Sequence, residues 1–409
     1  MDDSRPDPMT VAHVIHSLGA GGAEAVLVEM ASTAASVGIR PVVIALSEAN
    51  TGSQMDGSVV ARLRDRGVTV HELQAARYNP VAALTLAKLL REEQVDIVHT
   101  HLKHADVVGG VAARMAKLPS VSTLHVIDTP ASWPARLRVR MAVLARRHLS
   151  TTVIALSRAQ HDWYQRRAGV HAPLVVLPNG VAEPEVTRGR DSVRGEMGVS
   201  GTTLLAVCVS LMRPEKGHAD LLESIRQLPE DLNVVVAMAG DGPLITTIRA
   251  TVDADSTLRE RTRILGFRSD IADLLSASDF VVHPSREDAL PTALISALAA
   301  ARPVVATDVG GIPDIVGPEC GVLVEAGDAT ALCAAVAQMA GTVRDGGPNL
   351  DAMRRSARRR YEERFSADAW LRGLRATYER VISEASEPSR SGDERSTAPC
   401  PVGVDAAAD

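Results

Sequence analysis

Val11-Ala12-His13-Val14-Ile15-His16-Ser17-Leu18-Gly19-Ala20-Gly21-Gly22-Ala23-Glu24 reads as an apolar strand over residues 11–17 that runs through glycines into a helix over 23–37. Glycines at such a junction let backbone N–H groups approach a phosphate at the helix N-terminus. Gly38 follows where a left-handed terminating residue is expected, and a second strand, residues 41–46, begins almost at once. The alternation continues through strands at 68–72, 95–99, 121–125, 152–156 and 174–177, with helices at 80–93, 105–116 and 135–149 between them. It pauses at Pro178-Asn179-Gly180 and the polar stretch 183–191, then restarts with strands at 203–210, 233–239, 263–266, 280–283, 304–307 and 321–324. Strand–helix alternation of this kind predicts parallel sheets with helices on both faces. The fold class expected is therefore α/β, with two doubly wound domains. Helices are expected over 353–364 and 367–383, and residues 387–409 carry almost nothing to bury, which predicts a disordered tail.

A chain of 409 residues suits two domains of ordinary size. Its composition, 45% hydrophobic and 23% charged, excludes a fibrous or wholly disordered chain. No apolar run approaches the ~20 residues that span a bilayer. The opening Met1-Asp2-Asp3-Ser4-Arg5-Pro6 is not a secretory signal, and the four cysteines form no C-x-x-C pair, so a cytoplasmic location is expected. The net charge of −6 is asymmetric: residues 1–182 carry +4 and the remainder −10. That balance, with 2% aromatic residues, argues against a nucleic-acid partner.

In a doubly wound sheet ligands bind beyond the carboxyl ends of the strands. The glycine turn is not a dinucleotide fingerprint, because the third glycine position is Glu24. After the first strand of the second half, Arg213-Pro214-Glu215-Lys216-Gly217 places two cations three residues apart, which suits an anion clamp; Lys216 is the sole lysine of that half. A solvated surface pair is the alternative from spacing alone. Gly240-Asp241-Gly242-Pro243 and Gly266-Phe267-Arg268 are further strand-end turns. His283-Pro284-Ser285-Arg286-Glu287-Asp288-Ala289-Leu290-Pro291-Thr292 brings carboxylates to the start of a helix whose unpaired N–H groups face the same crevice. The D-x-D sequence Asp253-Ala254-Asp255 follows a helix rather than a strand, so no metal site is expected there.

Together, Gly21-Gly22-Ala23-Glu24, Leu177-Pro178-Asn179-Gly180-Val181, Arg213 with Lys216-Gly217, Gly240-Asp241-Gly242-Pro243, and the run from Pro284 through Ser296 to Gly311 resemble the family 4 retaining glycosyltransferases over residues 10–385. The resemblance implies the GT-B architecture, two Rossmann-like domains facing across a cleft. An acceptor-binding domain would span 1–182 and a nucleotide-sugar domain 183–366, with a helix at 367–385 returning to the first domain and a tail over 386–409. It implies a metal-independent hexosyltransferase of cell-surface polysaccharide, glycolipid or secondary-metabolite glycosylation. The substrates would be a UDP- or GDP-sugar and a hydroxyl acceptor, with no separate cofactor. By the same resemblance Arg213 and Lys216 grip the donor diphosphate with backbone groups of Gly21, Gly22, Leu290, Pro291 and Thr292, Phe267 lies by the base, and His125 stands near the transferred sugar. The family's two glutamates, seven residues apart between them, fall on Asp288, with Glu287 beside it, and on Ser296, which cannot replace a carboxylate on the ribose. That departure keeps a donor-degenerate scaffold in view, and an epimerase or hydrolase of the same architecture is the other alternative. Arg136, Arg140 and Arg147 on one face of the helix over 135–149, with Leu137, Met141 and Leu144 on another, suggest contact with anionic membrane for a lipid-linked acceptor.

Overall fold

The computed structural model describes residues 8–19, 22–47, 56–74, 81–128, 132–170, 173–199 and 201–386. The first half holds β1 (Met9–Ile15), β2 (Ile39–Ala45), β3 (Thr69–Glu72), β4 (Ile97–His101), β5 (Ser120–Leu124), β6 (Thr152–Ala155) and β7 (Leu174–Val176) in one parallel sheet, ordered β3-β2-β1-β4-β5-β6-β7. The second holds β8 (Leu204–Val209), β9 (Val234–Ala239), β10 (Thr262–Gly266), β11 (Phe280–His283), β12 (Val304–Thr307) and β13 (Gly321–Val324), ordered β10-β9-β8-β11-β12-β13. In each sheet the chain winds one way from the first strand and then returns to its other side. The crevices at β1/β4 and β8/β11 are thus the two switch points where a ligand is expected.

Several strands begin where backbone pairing rather than apolar periodicity decides. β4 starts two residues later than its apolar run, and Asp96 just before it is tied to β1: its N donates to Thr10 O (2.9 Å) and its Oδ2 accepts from Thr10 N (2.7 Å). The shift carries His101 into the strand.

The two faces of the first sheet differ. One packs Ala12, Val14, Val42, Ile44 and Val98 under the helices Val81–Glu92 and Lys103–Ala116. Beside this layer Asp106 accepts from Thr100 Oγ1 and Ser122 Oγ (2.7 Å each) and pairs with Arg146 Nη2 at 2.6 Å, all buried. The other face carries Val11, Ile15, Ile97, Val121 and Ile154 and is covered by the helices Gly22–Thr33 and Ala367–Ser386. That last helix crosses from the second half and buries Trp370, Leu371, Leu374, Tyr378 and Val381 in the first. Its crossing is fixed at the linker, where Val181 N donates to Phe365 O (2.9 Å) and Ala367 N donates to Val181 O (3.0 Å). Residues 387–409, expected to be a disordered tail, lie outside the described residues, as does Gly21.

Candidate active site

A cleft of about 480 Å³ lies between the two halves, lined mostly by residues at strand ends and helix starts. From the first half come Gly22 and Glu24 at the start of the helix Gly22–Thr33, Leu102 after β4, His125 after β5 and Asn179 at the linker. From the second come Ser210 and Lys216 after β8, then Asp288 and the segment Leu290, Pro291, Thr292 and Ala293 after β11. The helix Thr292–Ala299 and the helix Gly22–Thr33 therefore present their N-termini to one space from opposite sides. Two such ends favour an anionic ligand, and at Pro291 no side chain caps the helix Thr292–Ala299.

Glycine makes this convergence sterically feasible. A Cβ on Gly217 would lie 1.9 Å from Pro284 O, and one on Gly310 would lie 1.6 Å from Asp288 O. With neither present, the loops after β8, β11 and β12 pack backbone to backbone, and Gly311 N donates to Asp288 O at 3.1 Å. Asp288 is then held on three sides. Lys216 Nζ lies 2.6 Å from its Oδ2, His283 Nε2 lies 3.1 Å from it, and Ser285 Oγ donates to it at 3.3 Å. Burial alone would raise this carboxyl, but the His283 hydrogen bond, with His283 and Lys216 as charges, outweighs it and holds the group below its ordinary range. Asp288 is accordingly an anion at neutral pH. Glu24, by contrast, has its carboxyl pushed up by burial.

The sequence-predicted residues divide sharply. His125, Gly22, Lys216, Asp288, Leu290, Pro291 and Thr292 line the cleft; Arg213, Glu287, Phe267 and Ser296 do not. Arg213 precedes the single turn Pro214–Lys216 in extended conformation, and its side chain is exposed. Glu287 is also exposed, its backbone N donating to Glu215 O while the next residue turns inward. Phe267 is 63% exposed at the end of β10. Ser296 is half-buried one turn beyond Thr292, and its hydroxyl donates back to Thr292 O at 3.2 Å. Of the D-x-D acids, Asp255 does structural work: it caps the helix Ser256–Arg261 through Leu258 N and accepts from Arg226 Nε at 2.8 Å.

A feature absent from the sequence reading lies directly beneath His125. Its Nε2 is 2.9 Å from His101 Nδ1, and His101 Nε2 is 3.0 Å from His13 Nδ1. His99 stands alongside, its Nδ1 bonded to Tyr378 OH and its Nε2 to Thr123 Oγ1 (2.7 Å each). Burial lowers His13 to about 3 and His125 to about 4, and pushes His99 and His101 well down too. The signal was present in outline. Val11-x-His13-x-Ile15, Ile97-x-His99-x-His101 and Val121-x-Thr123-x-His125 put polar groups at matching alternate positions of three strands. Among the described residues, His13, His99 and His101 also form the one trio of metal-ligating type, with ring nitrogens within 4.8 Å of one another.

Two parallel doubly wound domains facing across a cleft with paired helix N-termini define the GT-B class. Residues 20–183 match Glycosyltransferase Family 4 and residues 203–341 match Glycosyl transferases group 1. The chain belongs to glycosyltransferase family 4. It is 27% identical over 257 residues to an Escherichia coli UDP-Gal:alpha-D-GlcNAc-diphosphoundecaprenol alpha-1,3-galactosyltransferase, covering 60% of this chain and 66% of that one. It is 26% identical over 275 residues to the N-acetyl-alpha-D-glucosaminyl L-malate synthase of Bacillus anthracis, covering 64% of this chain and 71% of that one. The chain thus spans about two thirds of the length of these relatives. In fold it is similar to Anabaena HepE, solved in complex with UDP, with a TM-score of 0.77 at 22% identity over 91% of this chain and 100% of that one.

Proposed function

We propose that the protein is a retaining, metal-independent glycosyltransferase that moves a sugar from a UDP- or GDP-sugar to a hydroxyl acceptor. The observation that carries this reading is the convergence of Lys216 with two helix N-termini, one from each half, beyond both switch points. Such an arrangement stabilises negative charge that grows on a departing diphosphate. The anomeric carbon–oxygen bond breaks toward Lys216, the acceptor hydroxyl oxygen attacks on the same face, and its proton passes to the leaving phosphate oxygen. No enzymic nucleophile is required; orientation and electrostatics supply the catalysis. Asp288, held ionised, accepts hydrogen bonds from hydroxyls of the transferred sugar, and His125 stands on the opposite wall. The relatives are named as a transferase and a synthase, which gives no support to an epimerase or hydrolase.

A lipid-linked acceptor is the specific form we favour. The helix Trp133–Leu149 exposes Trp133, Leu137, Met141 and Leu144 (42–74%) beside the exposed Arg138 and Arg140. Apolar and basic groups together on one exposed helix suit an anionic bilayer surface. Arg147 is exposed too, but its Nη1 donates to Ala168 O at 2.6 Å. Among the described residues no helix is long and apolar enough to cross a membrane.

Incubation with UDP-, GDP- and ADP-sugars, with and without a polyprenyl-diphosphate-linked acceptor, tests both points. Glycosylated acceptor is expected; nucleotide release without it contradicts transfer. Sedimentation with vesicles at low salt should show preference for anionic over neutral lipid, and equal binding or none defeats the membrane reading.

A further inference from the structure

We propose that His13 and His101 are positioning residues that fix the tautomer of His125, so that it meets the ligand as an Nδ1–H hydrogen-bond donor. The inference rests on the cleft being the donor site, but its test does not. His13 and His101 lie 19° from coplanar, with ring centroids 5.3 Å apart and nitrogens 3.0 Å apart. Rings so disposed meet edge to edge, a lone pair of one against the N–H of the other. His101 and His125 repeat the contact, with centroids at 5.1 Å and nitrogens at 2.9 Å. Burial keeps the three rings neutral, so each carries one N–H.

Three neutral rings in line have two self-consistent states. In the first, His13 Nδ1–H donates to His101 Nε2, His101 Nδ1–H donates to His125 Nε2, and His125 carries its proton on Nδ1. In the second every donor is reversed, and His125 offers the cleft a bare nitrogen. The closed end of the chain decides between them. His13 Nε2 is buried without a partner, beside Val26, Leu27 and Met30. The first state leaves a lone pair there, the second an N–H. Orphaned buried N–H groups are the rarer of the two in folded proteins, which selects the first state. His99 cannot divert the chain, because both of its nitrogens are taken by Tyr378 and Thr123. Nor does the head-on contact suit a metal, since the lone pairs of His13 and His101 do not converge on a common centre.

The consequence is chemical. His125 is neutral, and its one nitrogen with a lone pair is engaged by His101. It therefore holds a ligand oxygen as a donor and does not act as a general base.

The test is a two-bond ¹H–¹⁵N correlation spectrum of the full chain labelled with ¹⁵N-histidine. In the unsubstituted protein His125 should show a protonated Nδ1 and a bare Nε2. In His101→Leu it should revert to the Nε2–H form that an imidazole prefers in water, and in His13→Leu the two forms should exchange. Unchanged signals from the peripheral His71 and His161 report that the variants fold. The proposal is overturned by Nε2–H at His125 in the unsubstituted protein, which needs no variant to fold. It is also overturned by an unchanged His125 in folded His101→Leu, or by stoichiometric zinc binding that moves the His13 and His99 signals together. None of these readouts depends on sugar transfer, so failure of this inference and failure of the proposed function are distinguishable.

Discussion

Lys216 Nζ lies 2.6 Å from Asp288 Oδ2, which joins the loop after β8 to the loop after β11 by an ion pair at the wall of the cleft. The side chains are 19% and 10% exposed, so solvent screens the pair only in part. Under the proposed function a donor diphosphate would share or take over this ammonium, and the carboxylate is the anion that holds it at the cleft wall.

Lys216→Ala should weaken binding of UDP or GDP by roughly 10–150-fold, the loss expected for a charged hydrogen bond of about 1.5–3 kcal/mol. Arg213→Ala should have the smaller effect, because its side chain lies outside the cleft. Asp288→Asn should leave nucleotide binding intact or tighter while turnover falls, since it frees the ammonium but removes the anion proposed to face the sugar. Calorimetry with UDP and GDP, alongside thermal unfolding, checks all three.

The contrast between Arg213 and Lys216 also marks how far the sequence is legible. Two cations three apart announce an anion clamp, but spacing cannot say which faces inward. That is decided by the contact of Gly217 with Pro284, 67 residues away in the chain. The sheets were readable because each strand is a short apolar run bounded by turn residues. The histidine chain was not, because its members come from β1, β4 and the end of β5. Only the registers His13 to His99 and His101 to Thr123 align them. Glu24 was noticed for what it excludes and missed as a cleft residue, although its place in the first helical turn was a signal.

Stability should fall steeply in mild acid. His13, His99, His101, His125 and His218 all have values lowered first by burial, so each gains a proton on unfolding below pH 6.5 but resists it in the fold. Their stabilisation is complete above pH 6.5 and is lost as pH falls toward about 4, each contributing roughly 1.4 kcal/mol per pH unit across its interval. Denaturant unfolding at stepped pH should show this slope, and His13→Leu should reduce it by about one proton. A flat profile between pH 7 and 5 contradicts the account.

Arg146→Ala should be among the most destabilising substitutions outside the cleft. It leaves the Asp106 carboxylate buried without its cation, a loss of about 3–5 kcal/mol. Asp106→Asn, which keeps the bonds from Thr100 and Ser122 within reach, should cost less. Equal midpoints for the two variants in urea would remove the ion pair from the stability of this domain.

Ser296→Glu tests the family departure. Ser296 follows Thr292 by four residues on one helix, so both share the face that begins in the cleft. A glutamate there would extend toward the donor ribose and accept charged hydrogen bonds, tightening donor binding by roughly tenfold. A folded variant with flat or weaker affinity would mean that the ribose is held elsewhere, and the scaffold alternative would gain.

Sugar transfer itself is the most direct test of the central claim, that a donor diphosphate is held at Lys216 between the two helix N-termini and released there. The measurement is kcat/KM for formation of glycosylated acceptor in the presence of EDTA, for the unsubstituted protein and for Lys216→Ala. The account predicts retained anomeric configuration, no effect of the chelator, and a fall of roughly 10–150-fold in the variant. Transfer that needs a divalent metal, or that proceeds equally well without Lys216, would contradict it.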